Sequence, residues 1–523
     1  MRVPSADRLV GWLLLLVPIV PLTWWFGEVE RTRGIVPPSE ALLGLFVFGT
    51  LAVMLARLVP ARAVERTLGG LERPRGAGRW IPAASLALLL SLLVVTAVFA
   101  FARRPLLVDS VFQVFQARIF ASGALYAPEP PVEAFFAAQH LLVDGGRWFS
   151  QYPPGHAAVL AVGVLAGAVW LIPVALSTGT ALLLYGFTRR AYDLATARLT
   201  LVLVAFAPFF WFMGASHMNH VSALFFVSAF LYLLVRWEDG GGAHVLLVAG
   251  LAIGAAFLSR PLTAAAAGLA MAPFVVRRCW RERDAKSVLA GALGAVLAIG
   301  LYLAYNAATT GDPRVPGYLA LWGADHGLGF HATPWGEVHS PLAGLRNELT
   351  DLVLLSSLLF EGPVPALLPV GILFAAGWAT RRWDMRLAAG FLAIPAAYFF
   401  YWHRDAFLGP RYLYSGLAFL LPLAARGILE LVRRTSDRVL WSRSALTRVP
   451  VSSVVTAMLV LCTAYAALYS TPRRFQVYRT GLASMKVDMA RAAAAAGVSD
   501  AVVFVPVSWG NRLLARMRGA GVP

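Results

Sequence analysis

The feature that most constrains this chain is a succession of apolar runs, each long enough to cross a lipid bilayer as a helix. A helix needs about 20 apolar residues to span a hydrocarbon core of roughly 30 Å, and about thirteen runs approach that length. They lie near 9–27, 38–59, 80–102, 165–188, 195–215, 217–236, 243–259, 261–276, 287–307, 363–380, 385–402, 412–432 and 450–470. The composition, 59% hydrophobic and 14% charged, is too apolar for a water-soluble protein. We therefore predict an all-α polytopic membrane protein.

The first apolar run, 9–27, follows Arg2 and Arg8 and so has the charge pattern of a secretory signal. It ends at the segment from Trp24 to Glu28, where no pair of small residues marks a cleavage site. We interpret the run as a retained first span.

The positive charge lies in short arginine clusters between the apolar runs rather than in one basic tract. The net charge is +18. If the N-terminus is cytoplasmic, the alternation of spans places these clusters on the cytoplasmic side: 57–79, 189–190, 236, 277–283, 381–386 and 433–448. This distribution is typical of a multi-pass protein, whereas nucleic-acid binding requires a basic face on a folded domain. We predict a protein of the plasma (inner) membrane that contacts membrane lipids and no nucleic acid.

The same orientation assigns two long loops, 103–155 and 308–350, and the tail 471–523 to the extracytoplasmic side. The exception to the charge rule is the pair Arg473 and Arg474, which follows the last span. Long external loops are unlike a compact transporter, whose site usually lies at mid-membrane on broken helices. The predicted organisation is a two-span hairpin with its cytoplasmic loop (1–79), a transmembrane module (80–470) and an external C-terminal segment (471–523).

The first external loop begins with a polar stripe on one face of a predicted helix. Asp109, Gln113 and Gln116 recur at i, i+4 and i+7, with apolar residues on the other side. This spacing predicts an amphipathic helix in the membrane interface, with Asp109 near the level of lipid phosphates. A second interpretation is that Asp109 caps the helix N-terminus, a common use of Asp. The loop closes with Tyr152-Pro153-Pro154, whose two prolines predict an extended entry into the next apolar stretch.

Taken in order, these motifs resemble those of the dolichyl- and polyprenyl-phosphate-sugar transferases. These are GT-C glycosyltransferases (family 39-like) that include protein O-mannosyltransferases and lipid A aminoarabinose transferases. The external Asp after a span, the amphipathic helix and the aromatic-Pro-Pro entry carry the first part of the resemblance. Tyr305-Asn306, the segment from Thr310 to Pro313 and the segment from Gly409 to Leu413 resemble later motifs, so that the likeness runs from about 80 to 470.

The resemblance implies a GT-C-like fold and a sugar transfer, with inversion, from a polyprenyl-phosphate donor to a hydroxyl or amine of a lipid, glycan or protein acceptor. It implies that Asp109 is the general base for the acceptor. Family members usually have a second acidic residue after this Asp, whereas Ser110 stands here. That departure puts a divalent cation in doubt, and no metal ligand or other cofactor is predicted. Two spans also precede the motif in this chain.

Such a donor already carries a good leaving group, so the remaining requirement is a cation for the phosphate charge. Arg411, followed by Tyr412, is the leading candidate, because a guanidinium matches a phosphate in a bidentate manner. Arg260 lies between two apolar runs and is the second candidate. The alternative for Arg260 is a side chain that extends to the lipid interface.

The remaining predicted substrate contacts lie in the first external loop and beside the sixth run. Asn219 and His220 are interpreted as donor or acceptor contacts, with helix capping as the alternative. His217 and His220, three residues apart, are an alternative metal pair, although zinc helices usually space two His by four. Gln113 and Tyr152 complete the predicted substrate-binding set.

The second external loop and the tail carry weaker signals. The loop 308–350 combines histidine and acidic residues with tryptophans, a composition that suits sugar recognition or an interface belt. From Pro341 a second amphipathic stretch is predicted to lie on the membrane. The tail is predicted to form a helix near 476–496 and a β-rich run at 501–507, the beginning of a small external α/β segment.

Three other functions remain open on the sequence. A flippase or transporter of lipid-linked glycans has the same span count and charge bias. A non-catalytic subunit for cell-envelope assembly would tolerate loss of Asp109. An O-antigen ligase type of enzyme would use a diphosphate donor instead of a monophosphate one.

Overall fold

The structure is a computed structural model that describes residues 6–16, 38–58, 61–105, 107–406, 408–436, 438–439, 449–480 and 493–498. Most of these residues are helical. The α-helices are Ala6–Leu16, Pro38–Leu55, Ala61–Glu72, Ile81–Val95, Val108–Ala121, Glu133–Phe136, Pro154–Leu165, Leu171–Ala191, Leu194–Ala205, Pro208–Gly214, Asn219–Glu238, Ala243–Ser259, Pro261–Glu282, Ala285–Thr310, Gly317–Trp322, Pro341–Leu358, Leu368–Ala375, Arg382–Tyr398, Leu417–Thr435, Val451–Tyr465 and Thr471–Thr480. Short 3-10 or π-helical turns occupy Ala56–Leu58, Ala77–Trp80, Thr96–Ala100, Ala324–His326, Arg411–Gly416 and Ala466–Ser470.

Seven helices in the described residues are long and apolar enough to cross a membrane. Two further pairs of helices are each bent at a short break, and the number rises to nine if each of these pairs is one span. The predicted helical, multi-span class is confirmed, but the predicted count of about thirteen is not reached in this part of the chain. The run near 363–380 contributes only the helix Leu368–Ala375. The run at 195–215 bends by 64° between Leu194–Ala205 and Pro208–Gly214. Pro208 starts the second helix because proline has no N–H to continue the first.

The bundle has one central helical segment and a lipid-facing periphery. In Arg411–Thr435, 89% of the apolar window is buried inside the protein, whereas in Ala285–Thr310 only 17% is buried. Close packing at the centre depends on small residues: a Cβ on Gly390 would come within 2.3 Å of the Phe419 ring. Arg411, at the start of the central segment, is therefore held by the most buried part of the structure.

At one end of the bundle, arginines join the segments that the charge rule assigns to a common side. Arg198 is buried and donates to the carbonyl oxygens of Gly70, Leu71 and Arg73 at 2.7–3.0 Å. Further ion pairs link Arg190 to Asp239, Arg433 to Glu72 and both Arg382 and Arg386 to Glu238. The Arg198 contacts satisfy carbonyl groups that the helix Ala61–Glu72 leaves open at its C-terminus, and the ion pairs join separate helices.

At the opposite end, the two long loops meet each other and the segment around residue 400. The first loop contains a three-stranded antiparallel sheet that was not predicted: β1 (Ala127–Pro128), β2 (Leu141–Asp144) and β3 (Arg147–Ser150), with β3 in the middle. Trp322 of the second loop donates to the Oε1 atom of Gln151 at 2.8 Å, directly after β3. The amide of Gly329 donates to the carbonyl oxygen of Phe400 at 2.8 Å. Three chain segments therefore form one surface at this end.

The predicted amphipathic helix is present as Val108–Ala121, and Pro153 has the predicted extended conformation (φ −55°, ψ 147°). The stretch from Pro341 also forms a helix, but its second half is buried in the protein from Thr350 to Leu355. Packing against the bundle explains this difference from the prediction of a helix lying on the membrane. In the tail, Thr471–Thr480 is helical, most of 476–496 lies outside the described residues, and the predicted β-rich run 501–507 lies wholly outside them.

Candidate active site

Asp109 lies in the first turn of the helix Val108–Ala121 and faces the protein. Leu107 occupies the N-cap position of this helix, so Asp109 is not the capping residue. Its Oδ1 atom accepts a hydrogen bond from the Tyr152 hydroxyl at 2.7 Å, and its Oδ2 atom contacts Arg411 Nη1 at 3.3 Å. The side chain is 26% exposed, so this carboxylate is held by two partners yet remains reachable.

A strained turn presents Arg411 to Asp109. Leu408 and Gly409 both have positive φ (61° and 99°), and a Cβ on Gly409 would come within 2.8 Å of the Phe209 ring. Glycine is therefore required at this position. Arg411 Nη2 contacts the Oδ2 atom of Asp405 at 3.2 Å, so the guanidinium lies between two carboxylates.

Electrostatics keep Asp109 ionised. Burial alone would raise the pKa of this carboxyl, but the charges of Arg411 and His140 and the hydrogen bond from Tyr152 lower it well below its usual range. Burial and the nearby Asp109 charge raise the pKa of Tyr152, so its hydroxyl remains a donor. Burial lowers the pKa of His140, and this effect outweighs the opposite effect of the Asp109 charge. The Nδ1 atom of His140 forms a hydrogen bond with the Gln151 Nε2 atom at 2.7 Å.

Arg260 lies at the break between two helices, where Pro261 starts the second. Its Nη1 donates to Asn219 Oδ1 at 3.0 Å and its Nη2 to the Tyr398 hydroxyl at 2.7 Å. These partners lie within the protein, unlike a side chain that extends to the lipid interface. Both are neutral, and in the described part of the chain no carboxylate forms a salt bridge with Arg260. Its charge is therefore left without an anion.

The two arginines share one aromatic ring. The guanidinium carbon lies 5.2 Å from the Tyr412 ring centroid in Arg260 and 5.4 Å in Arg411. Tyr412 in turn stacks on Tyr398 with the centroids 4.8 Å apart. The two positive charges repel each other, and an anion that contacts both would relieve the repulsion.

The other predicted contact residues border this arrangement. Asn219 holds Arg260 and also donates to the carbonyl oxygen of Ser259 at 3.2 Å. The His220 ring lies 6.1 Å from that of Tyr412. Gln113 follows Asp109 by one helical turn and is 1% exposed. Contacts between neighbours thus link seven of the eight predicted site residues, and Gln113 lies on the same helix as Asp109.

Sequence reasoning missed an acidic group on the far side of Arg411. Asp405 lies four positions before Gly409, and the adjacent charges of Arg404 and Asp405 after an aromatic run were the available signal. Arg404 Nε donates to Asp351 Oδ1 at 2.8 Å. Burial raises the pKa of Asp351 to about 6 despite Arg404, and burial and Asp351 raise the pKa of Glu348 to about 9.

The second loop supplies an aromatic wall. The Tyr318 ring contacts that of Tyr152 at 5.6 Å and stacks on His326 at 5.0 Å, so part of this loop faces the site. The rings of His331 and His339 instead form hydrogen bonds with backbone carbonyl oxygens at 2.7–3.2 Å. Across the described ranges, no three His, Cys, Asp or Glu side chains are grouped so as to hold a metal ion.

Part of the chain matches a known protein family. Residues 154–329, a minority of the chain, match the family model described as dolichyl-phosphate-mannose-protein mannosyltransferase. The match confirms the resemblance to the dolichyl- and polyprenyl-phosphate-sugar transferases over a segment that includes Asn219, His220 and Arg260. No protein of curated function matches the sequence.

Two solved structures are similar at low sequence identity. ArnT from Cupriavidus metallidurans bound to undecaprenyl phosphate is 13% identical, with 86% of this chain and 76% of that chain covered and a TM-score of 0.46. The archaeal oligosaccharyltransferase AglB from Archaeoglobus fulgidus, in complex with an inhibitory peptide and a dolichol-phosphate, is 15% identical. There 76% of this chain and 57% of that chain are covered, with a TM-score of 0.35.

The raised pKa of Glu348 predicts a pH-dependent stability. The pKa of Glu348 is about 9 in the folded protein and 4.5 ordinarily, so the folded protein binds this proton more tightly than the unfolded chain does. The resulting stabilisation is complete below pH 4.5 and is lost as the pH rises through about 9. The thermal midpoint of the detergent-solubilised protein is expected to fall from about pH 5 to about pH 9, and Glu348→Gln to flatten this fall. The exposed Glu337→Gln is the matched control. Identical pH profiles for wild type and Glu348→Gln would contradict the assignment.

Proposed function

We propose that this chain is a membrane glycosyltransferase that moves a sugar from a polyprenyl-phosphate donor to an acceptor hydroxyl or amine at the extracytoplasmic face. The observation that carries the proposal is the juxtaposition of an ionised, reachable carboxylate with two arginines on one tyrosine ring. A base near cationic groups that can bind a phosphate is what transfer from a sugar phosphate requires. The family match supports the same class of donor.

Arg260 is the better phosphate ligand on charge balance. The sequence favoured Arg411, but Arg411 already contacts Asp109 and Asp405 at 3.2–3.3 Å. Arg260 has only neutral partners among the described residues, so its charge is available for an incoming anion. We assign the donor phosphate to Arg260, with Arg411 contributing as the second arginine on the Tyr412 ring.

Asp109 is the general base in this proposal. A carboxylate with a strongly lowered pKa is a weak base, because Arg411 stabilises its charge. A donor phosphate next to Arg411 offsets part of that positive field and raises the pKa of Asp109 toward proton acceptance. Asp109 then takes the acceptor proton as the sugar–phosphate bond breaks, the electron pair leaving with the phosphate. Attack from the side opposite the phosphate inverts the anomeric centre.

Asp109→Asn tests the base. With a purified protein and a polyprenyl-phosphate sugar, we expect kcat to fall by about 100-fold or more, because the amide cannot accept the proton, while donor affinity changes little. The exposed Asp312→Asn in the second external loop should retain wild-type turnover. Equal turnover by wild type and Asp109→Asn would exclude Asp109 as the base. No transfer by either protein, together with movement of the lipid across vesicles, would favour a transporter.

Arg260→Gln tests the phosphate site separately from the chemistry. We expect donor affinity to fall by about 10- to 100-fold, since a hydrogen bond to a charged group is lost from a partly buried position. The exposed Arg314→Gln should bind the donor like wild type. Binding of labelled polyprenyl phosphate measures both. An unchanged affinity for Arg260→Gln, with a loss for Arg411→Gln instead, would return the phosphate to Arg411.

The extracytoplasmic placement of this end is also a proposal, and it rests on the arginine distribution. We expect a cysteine at the exposed position Gln139, in the first loop, to react with a membrane-impermeant maleimide in intact cells. A cysteine at the exposed position Glu65, in the arginine-rich loop 57–79, should react only after permeabilisation. The reverse pattern would place Asp109 in the cytosol and remove the extracytoplasmic reaction.

A further inference from the structure

Four exposed arginines lie on two segments that meet at the end of the bundle where the long loops lie. They are Arg103, Arg104, Arg473 and Arg479. The first two follow the turn Thr96–Ala100, and the last two lie on the helix Thr471–Thr480. The Phe101 ring lies 6.4 Å from that of Tyr478, so the two segments are in contact. We call these four residues the arginine patch.

The charges of the arginine patch are not neutralised within the described chain. Arg474 shows the contrast, because it is largely buried and forms an ion pair with Glu361, which also accepts from the Ser470 hydroxyl at 2.8 Å. In the described ranges, no carboxylate forms a salt bridge with any arginine of the patch. The guanidinium carbon of Arg473 instead lies 3.7 Å from the centroid of the Tyr469 ring. The pair that breaks the charge rule therefore consists of one arginine with a structural partner and one without.

The lengths of two helical segments place the arginine patch at the level of lipid headgroups. The segment Val451–Thr480 begins at the arginine-rich end, where the Val451 amide donates to the carbonyl oxygen of Arg438 at 3.0 Å. It has 30 residues and so measures about 45 Å, against a hydrocarbon core of roughly 30 Å. Its last turns, which carry two arginines of the patch, extend past the core. The segment Ala77–Ala100 has 24 residues and measures about 36 Å, so the other two arginines also lie just beyond the core.

The same two segments lie at the periphery of the bundle. Only 22% of the apolar window of Val451–Thr480 and 33% of that of Ala77–Ala100 are buried inside the protein. Phe99 and Leu468 are exposed just before the arginines on the two segments. Exposed cations that follow exposed apolar side chains suit the boundary between headgroups and acyl chains, where arginine side chains extend toward lipid phosphates.

The geometry points to a binding site for an anionic phospholipid, in which the arginine patch holds the headgroup phosphate while Phe99 and Leu468 contact the acyl chains. A guanidinium matches a phosphate in a bidentate manner, and each arginine near the surface adds to the attraction of an anionic lipid. A choline lipid carries an ammonium group that the patch repels. The bound lipid joins the tail helix to the segment that leads into the helix of Asp109. This site does not include Arg260 or Arg411 and goes beyond the proposed function.

A fluorophore beside the arginine patch measures which lipid binds there. Gln476→Cys, at an exposed position of the tail helix, is labelled with bimane in a chain that also carries Cys279→Ala and Cys462→Ala. The protein is reconstituted in phosphatidylcholine nanodiscs with a small fraction of phosphatidylglycerol or phosphatidylcholine that bears a nitroxide quencher on the acyl chain close to the headgroup. We expect half-quenching at an at least about 10-fold lower mole fraction of the anionic lipid than of the choline lipid.

Variants separate the arginine patch from the overall charge of the protein. We expect Arg473→Gln and Arg104→Gln each to reduce the preference for the anionic lipid by about 3- to 5-fold, and replacement of all four arginines by Gln to abolish it. The corresponding four Lys replacements keep the charge and should retain most of the preference. Because the side chains are exposed, the thermal midpoint should not change. The exposed Arg314→Gln, in the second long loop, is the matched control and should keep the wild-type preference.

The outcomes either support or overturn the lipid site. Equal quenching by the two lipids, or a preference that survives loss of all four arginines, would overturn it. Displacement of the anionic lipid by millimolar inorganic phosphate would also overturn it, because the patch would then bind soluble anions rather than a lipid. The measurement uses neither a sugar donor nor an acceptor, so its result is independent of the proposed function.

Discussion

The contact between Asp109 and Arg411 is the interaction on which the candidate site depends. It joins residues 302 positions apart, one in the first turn of the helix Val108–Ala121 and one at the start of the central buried segment. Burying either charge alone would be unfavourable, so each fixes the position of the other. The contact is also asymmetric, since Arg411 is nearly enclosed (5% exposed) while Asp109 is 26% exposed. The arginine therefore positions a carboxylate whose outer side remains open to a substrate.

The two ends of the bundle use polar groups differently. At the arginine-rich end, Arg198 is bonded to three carbonyl oxygens and Arg433 contacts Glu72, so these groups have partners within the chain. At the loop end, Arg260 has no carboxylate and Gln113 has no hydrogen bond among the described residues. Ion pairs and contacts to carbonyl oxygens stabilise the fold, whereas a cation without a carboxylate partner is suited to binding an anion.

Periodicity and backbone chemistry explain how much of the structure the sequence predicts. The helix Val108–Ala121 follows from polar residues at i, i+4 and i+7, and the extended entry at Pro153 follows from two prolines. The sheet was missed because its strands have only two to four residues, although Gly145-Gly146 between β2 and β3 is a hairpin signal. The predicted span count is not confirmed in the described residues, where some apolar runs form short buried helices such as Leu368–Ala375.

A candidate site residue can be predicted from the sequence when its type is energetically costly at its position. Arg260 was found because a lone arginine between apolar runs is costly unless it has a function. Asp405 was not found, because its significance depends on a turn that brings it to Arg411, and no local pattern records that contact. The order of preference between Arg260 and Arg411 likewise required their partners to be known. Whether a carboxylate neutralises an arginine depends on contacts in the folded protein. The sequence alone therefore does not show which of two arginines is the better phosphate ligand.

The segment shared with the family model divides the site into two parts. Residues 154–329 contain Asn219, His220 and Arg260. Asp109, Asp405 and Arg411 lie outside this segment, and Arg411 contacts both carboxylates. In the proposed function, Arg260 in the first part binds the donor phosphate, while Asp109 in the second part takes the proton of the acceptor. We therefore expect donor preference to depend on the residues around Arg260, and acceptor preference on those around Asp109.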